Sequence, residues 1–210
     1  MKTKTSQMLF NYWNSVRGSR LAPRRFEIEP GCIASILPET FILERGPHAD
    51  IRYRLAGTRI CEQFGTEFRG TSFLDGWLAP DRAALQNHIT RVMMEGGTGL
   101  LAVEAVSARG RRAEFEALLL PLTHTRETID RLLGAFVLVN GEPWVGTEPL
   151  TSRRLIDQKI IWPDGQPHPS AETHNRQAPF LPHIRSARIV RCDRRQFRVY
   201  DGGLSKTPRD

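Results

Sequence analysis

Residues 99–122, GLLAVEAVSARGRRAEFEALLLPL, leave this chain few folding options. Leu101, Val103 and Ala105 alternate with Ala102, Glu104 and Val106, and Phe115, Ala117 and Leu119 alternate with Glu114, Glu116 and Leu118. Two period-two runs flanking a polar turn with Gly110 near its tip predict a β-hairpin. Residues 132–139 are almost continuously apolar, which predicts a strand near the centre of the same sheet. Residues 123–131 are the polar connection to it. Upstream, IRYRLAG sets Ile51, Tyr53 and Leu55 on one side and Arg52 and Arg54 on the other, after a Gly46-Pro47 turn. Residues 33–43 are apolar but interrupted at Leu37-Pro38-Glu39, so Pro38 is expected at an edge, a bulge or the end of a first strand.

Helical periodicity fills the gaps between these strands. In residues 6–17, Met8, Leu9, Tyr12, Trp13 and Val16 form an apolar stripe, with Thr5 or Ser6 as cap and Gly18 and Pro23 marking the end. That stripe either packs on the chain's own domain or makes a dimer contact. TRICEQF at 58–64 suits a short helix. Asp81 is expected to cap a longer one running to Glu95, with Leu85, Ile89, Val92 and Met93 as its stripe and Gly96-Gly97 as its stop. His88 in that helix reads as a surface or packing residue. The expected architecture is α+β: a five-stranded antiparallel sheet with short helices on one face, an N-terminal helix and a C-terminal extension. The expected divisions are a helix and connector at 1–30, a domain at 31–140, and a linker plus Arg-rich extension at 141–210.

Several function classes fall away. No apolar run is long enough for a membrane span or a signal peptide, which suits a cytoplasmic protein. Cys32, Cys61 and Cys192 provide neither a disulfide framework nor a close zinc-binding pair. His168, His174 and His183 lie in a proline-rich stretch without cysteine, so no metal is expected. Nucleophile-elbow, zincin, phosphate-loop and dinucleotide fingerprints are all missing, and no catalytic residue is assigned. Glu114 and Glu116 share a strand face beside Arg111 and Arg112, where a solvated surface is expected. Of the net charge of +7, residues 151–210 contribute +6, with 12 Lys/Arg against 6 Asp/Glu. Within that tail, Arg188, Arg191, Arg194 and Arg195 are candidate contacts for an anion or a partner, and Phe197 and Tyr200 could stack on bases.

The segments YRLAGTRI (53–60) and FGTEFRGTSFLDGW (64–77), with Tyr12-Trp13 and Ile36-Leu37-Pro38 before them, resemble the PAS-domain family. The likeness is strongest to the small single-PAS-domain proteins of alphaproteobacteria, and it covers about residues 8–140. Without that likeness, too, Gly57 permits a turn directly after a strand, and Gly65 and Gly70 end or redirect short helices. Phe64, Phe68, Phe73 and Trp77 then cover one sheet face. The resemblance implies a non-catalytic sensory or regulatory module acting through protein contacts, as a homodimer or with a regulatory partner. An unidentified small ligand would sit in a pocket lined by Tyr53, Phe64, Phe73, Trp77, Ile89 and Phe115. The segment around Cys61, Thr58-Arg59-Ile60-Cys61-Glu62-Gln63-Phe64, does not match the reactive-cysteine motif of flavin photoreceptors. His88 alone is a weak haem ligand, so no cofactor is expected. The alternative function is a nucleic-acid-binding regulator that uses the basic extension.

Overall fold

A computed structural model describes residues 1–46, 50–124 and 128–167 in full, and the backbone of residues 187–192 and 195–200. The chain forms two compact units, Met1–Asn175 and Arg176–Asp210. In the first, helix α1 (Lys4–Arg17) precedes three short 3-10 turns, Arg25–Glu27, Pro30–Ile33 and Leu37–Glu39. Strands β1 (Thr40–Arg45) and β2 (Ile51–Ala56) follow, then helices α2 (Thr58–Phe64) and α3 (Ala79–Glu95). Strands β3 (Thr98–Ser107), β4 (Arg112–Thr123), β5 (Ile129–Leu138) and β6 (Leu150–Ile161) complete the unit. The sheet is antiparallel throughout, in the order β2-β1-β5-β4-β3-β6. In the second unit, β7 (Ala187–Cys192) pairs antiparallel with β8 (Arg195–Tyr200), as the alternation there predicts.

The fold class is the expected one, with differences that have identifiable causes. The sheet has six strands instead of five, because residues 150–161 pair along β3 from Ser107 to Thr98. The stretch 141–149 is packed as well: the Arg111 guanidinium lies over the Trp144 ring, and Glu148 pairs with Arg109 and Arg111. Beyond β6, Asp164 meets the buried Arg17 at 2.8 Å, which ties this segment to the end of α1. The apolar residues 33–39 do not extend as strand; they coil into 3-10 turns with Pro38 inside the last one, and Ile33 and Ile36 still reach the core. Helix α1 begins two residues early because Thr3, not Thr5 or Ser6, accepts the Ser6 N–H. Asp81 sits inside α3, which starts at Ala79 with Pro80 in its first turn; its carboxylate instead accepts the Leu155 N–H, 2.9 Å away on β6.

Apolar layers cover both sheet faces. On one lie α2, α3 and the segment between them, over Phe41, Leu43, Tyr53, Leu101, Val103, Phe115, Ala117 and Phe136. On the other, Leu9 and Trp13 of α1 and Ile28, Ile33 and Ile36 of the connector pack on Leu118, Leu120, Leu122, Leu133 and Val137. Strands β4 and β5 are buried on both faces, which explains their near-continuous apolar runs. Leu55 breaks the expected alternation and is exposed. Ile42 pairs with Leu55 while Leu43 pairs with Tyr53, so one extra residue on β2 flips the phase beyond it.

Gly57 is required for a reason other than the expected turn. Its φ of −68° suits any residue, but a Cβ there would lie 2.5 Å from the Leu37 carbonyl oxygen and closer still to that of Pro38. Gly57→Ala is therefore expected to cost about 2 kcal/mol by overpacking against rigid backbone. Urea unfolding measures it, and a variant within about 0.5 kcal/mol of wild type contradicts the account. Gly65 behaves as expected, ending α2 in the left-handed region at φ 60°.

Candidate functional site

The layer between the sheet and α2–α3 is built mainly from aromatic rings. Tyr53 lies 4.9 Å from Phe68 and 5.6 Å from Phe73 between ring centres, Phe73 lies 5.8 Å from Trp77, and Phe115 stacks on Phe136 at 4.7 Å. All six expected pocket residues (Tyr53, Phe64, Phe73, Trp77, Ile89 and Phe115) fall in this one cluster. Of the six, Phe115 borders one cavity, with Lys2 and Glu114, and Phe64 borders another.

That cavity, about 180 Å³, is lined by Phe64, Phe68 and Leu150, by the rim residues Thr66, Glu67, Thr71, Asp75, Gly76 and Thr151, and by Arg153. Arg153 is the residue that sequence reasoning missed. It lies on β6 opposite Ala105, whose small side chain leaves room for it, and it is only 3% exposed. The guanidinium carbon sits 5.1 Å from the Trp77 ring centre, 5.2 Å from Phe64 and 5.5 Å from Phe68. Nη1 donates to the Tyr53 hydroxyl at 3.1 Å, Nη2 donates to the Asp75 carbonyl, and Nε has no partner. Trp77 Nε1 is likewise buried without an acceptor. Burial pushes the Tyr53 hydroxyl above its ordinary pKa, and the Arg153 cation opposes that rise.

No simple alternation could have revealed Arg153. Val106 pairs with Ser152 while Ser107 pairs with Leu150, so a bulge at Thr151 brings Leu150 and Arg153 onto one face although they are three apart. The isolated bridge between Trp77 and Arg153 then ties the α2–α3 segment to the edge strand, with Arg153 N donating to the Gly76 carbonyl at 2.7 Å.

Other expected sites are placed differently. Of the stripe read either as packing on the chain's own domain or as a dimer contact, Leu9 and Trp13 are fully buried in the chain's own core, with Tyr12 and Val16 packed beside them; Met8 alone of the five is exposed. The stripe is used within the chain because the α1 face of the sheet is otherwise bare apolar surface. Glu116, expected on a solvated face, is buried beneath the start of α1, and Arg112 pairs with Glu104 instead. The side chains of Arg188, Arg191 and Arg195, together with Arg194, His168, His174 and His183, lie outside the described residues. Among the described residues no group of three or more His, Cys, Asp or Glu is arranged to hold a metal ion. No described helix is long and apolar enough to cross a membrane.

Neither residue weighed for flavin or haem lines this cavity. Cys61 is partly exposed, with its Sγ 4.0 Å from Glu67. His88 is a packing residue, buried with Nε2 unpartnered beside Gly99, where a Cβ would meet it at 2.9 Å.

Burial, then the nearby Arg91 charge, lowers the His88 pKa. The unfolded chain therefore takes up a proton near pH 6.5 that the folded chain refuses, and stability falls as pH drops below that value. The slope is at most ~1.4 kcal/mol per pH unit. Urea melts between pH 7.5 and 5.5 are expected to show it, and His88→Leu to flatten it; equal slopes in both proteins contradict the assignment.

A family model described as the PAS domain matches residues 1–137. Among solved structures, the LOV protein of Rhodobacter sphaeroides is 12% identical, covering 66% of this chain and 72% of its own, at a TM-score of 0.42. A light-oxygen-voltage domain studied with a flavin analogue is 12% identical over 56% of this chain and 87% of its own, at 0.42. An RNA-binding light-oxygen-voltage receptor is 15% identical over 48% of this chain and 28% of its own, at 0.36. The chain spans about two thirds of the length of the Rhodobacter sphaeroides LOV chains, between 64% and 72%. No curated protein matches. The family match runs from the leading helix into the last residues of β5, and with it the conclusion is plain: the chain belongs to the PAS domain family.

Proposed function

We propose that this PAS module reports what occupies the core between its sheet and helices by changing its contacts with a partner protein or a second copy of itself. The observation that carries this reading is Arg153, whose side chain joins edge strand β6 to the Asp75 carbonyl and to the rings of Phe64, Phe68 and Trp77. A ligand that engages the donors Arg153 leaves unused reinforces those contacts and so shifts the balance between β6 and residues 64–77. Strand β6 is an edge of the sheet, with Ile156 half exposed, and the chain continues from it into the basic extension. An edge strand is a natural place for a change in the core to become a change in docking.

Hydrogen exchange on the full chain, with and without a small-molecule library, tests this, together with sedimentation of the same samples. A compound that protects residues 64–77 and 150–155 is expected to alter exchange along the rest of β6 and to shift the association state or the affinity for a partner. Core-binding compounds that leave exchange elsewhere and all association unchanged would sink the reading.

A further inference from the structure

Among the described residues, Arg153 is a buried cation without a counter-charge. Of its five N–H donors, two are used, by the Tyr53 hydroxyl and the Asp75 carbonyl. No Asp or Glu among the described residues forms an ion pair with it. The carboxylates nearest the cavity are already engaged: Glu67 accepts the Arg69 N–H at 3.1 Å, and Asp75 accepts the Ser72 N–H at 3.1 Å. Three aromatic faces offset part of the desolvation cost, but a buried guanidinium whose Nε has no acceptor among the described residues remains costly and favours an anionic partner.

The cavity beside it has the size and polarity for such an anion. An apolar cavity of ~150 Å³ takes up benzene, so about 180 Å³ holds a six-membered ring with one carboxyl group. Phe64, Phe68 and Leu150 provide apolar wall, and Thr66, Thr71 and Thr151 provide hydroxyls. A guanidinium fork matches the planar carboxylate better than it matches any neutral group. Glu67 and Asp75 at the rim place negative charge where a second carboxylate would stand, which disfavours dianions.

We propose that Arg153 and this cavity form a receptor site for a small organic monocarboxylate, with the acid on the guanidinium and the apolar body against Phe64, Phe68 and Leu150. The proposal rests on the reading that core occupancy is the signal, and it names the ligand class. Occupancy completes the charge balance of Arg153 and strengthens the link between β6 and residues 64–77.

The full chain is titrated calorimetrically with benzoate as probe, and with benzamide and phthalate as its neutral and dianionic counterparts at constant ionic strength. Benzoate is expected to bind one per chain and to move the Arg153 Nε–H resonance, with benzamide and phthalate about tenfold or more weaker. Arg153→Met removes the charge at similar volume and is expected to lose benzoate binding while folding as well as wild type or better, since unpaired buried charge is costly. Thr151→Glu, on an exposed rim position, adds repulsion without touching the core and is expected to weaken benzoate about tenfold with the melting temperature unchanged. Benzamide binding as tightly as benzoate, or an Nε–H resonance unmoved at millimolar benzoate, overturns the proposal. So does full benzoate affinity in Arg153→Met or Thr151→Glu. If benzoate fails while another compound still couples residues 64–77 and 150–155 to association, the monocarboxylate proposal falls and the wider reading stands. If benzoate binds but leaves association unchanged, the reverse holds.

Discussion

Trp13→Ala is expected to destabilise the protein by about 3–5 kcal/mol, the cost of removing a fully buried large aromatic side chain. Trp13 lies between α1 and the sheet, with Nε1 donating to the Pro121 carbonyl at 2.9 Å and the Arg17 guanidinium 5.6 Å from its ring centre. Its loss opens a cavity under α1 and removes the donor to that carbonyl at once. Trp13→Phe keeps most of the ring volume and loses the hydrogen bond, so it is expected to cost about 1–2 kcal/mol beyond any packing change. Urea unfolding followed at several protein concentrations separates this from a dimer role. An intrachain contact gives a midpoint independent of concentration, whereas a midpoint that rises with concentration in wild type and not in the variant would return Trp13 to an interface. A loss below about 1 kcal/mol in Trp13→Ala would mean that α1 does not pack on the sheet in this way.

The second large effect is expected at Glu116, which organises the start of α1 from the strand beneath it. Its Oε2 accepts the Lys2 N–H at 2.6 Å, and its Oε1 accepts the Thr3 N–H at 3.1 Å and the Thr3 hydroxyl at 2.9 Å. Lys2 also reaches Glu114. A carboxylate at a helix N-terminus meets unsatisfied N–H groups and the positive end of the helix dipole. Glu116→Ala strips two backbone donors of their acceptor and leaves a void, for an expected loss of about 3 kcal/mol.

The same geometry sets a pH dependence. Burial alone pushes the Glu116 carboxyl up, but hydrogen bonds from Lys2, Ser6 and Thr3 outweigh it and hold the group below its ordinary range. A depressed folded pKa means that the stabilisation is present above the unfolded value of about 4.3 and is lost as pH falls through the folded one. Glu116→Gln is therefore expected to be less stable than wild type at neutral pH, with the difference narrowing in strong acid. That window lies below the one assigned to His88, so the two groups are separable by pH. A Glu116→Gln deficit unchanged between neutral pH and pH 3 would contradict the assignment.

How far these features were legible in the sequence differs between elements. The hairpin of β3 and β4 was legible because each residue's face follows from period-two alternation, and Gly110 at φ 80° closes its turn as expected. Helix α2, the end of α3 at Gly96 and the aromatic cluster were legible for similar local reasons. Pro38 misled on the first strand, since a proline that interrupts an apolar run also starts a 3-10 turn. Glu116 misled because alternation gives a side chain's face and says nothing of what covers that face. Leu55 and Arg153 both lie beside bulges, where one extra residue reverses the phase on which a pattern depends.

By itself, the sequence determined the α+β class, the antiparallel hairpin and the family, because strand alternation, helix periodicity and glycine stops are properties of neighbouring residues. Only the tertiary structure decided that β6 closes against β3, that α1 spends its apolar stripe on its own sheet, and that Arg153 stands inside the aromatic layer with its Nε unpartnered among the described residues. Those outcomes depend on pairing and burial between segments far apart in the chain, by 78 residues for Arg153 and Asp75, 100 for Arg153 and Tyr53, and 108 for Trp13 and Pro121. A buried arginine on a bulged edge strand is written in the same letters as a solvated one, and only the elements packed against it tell them apart.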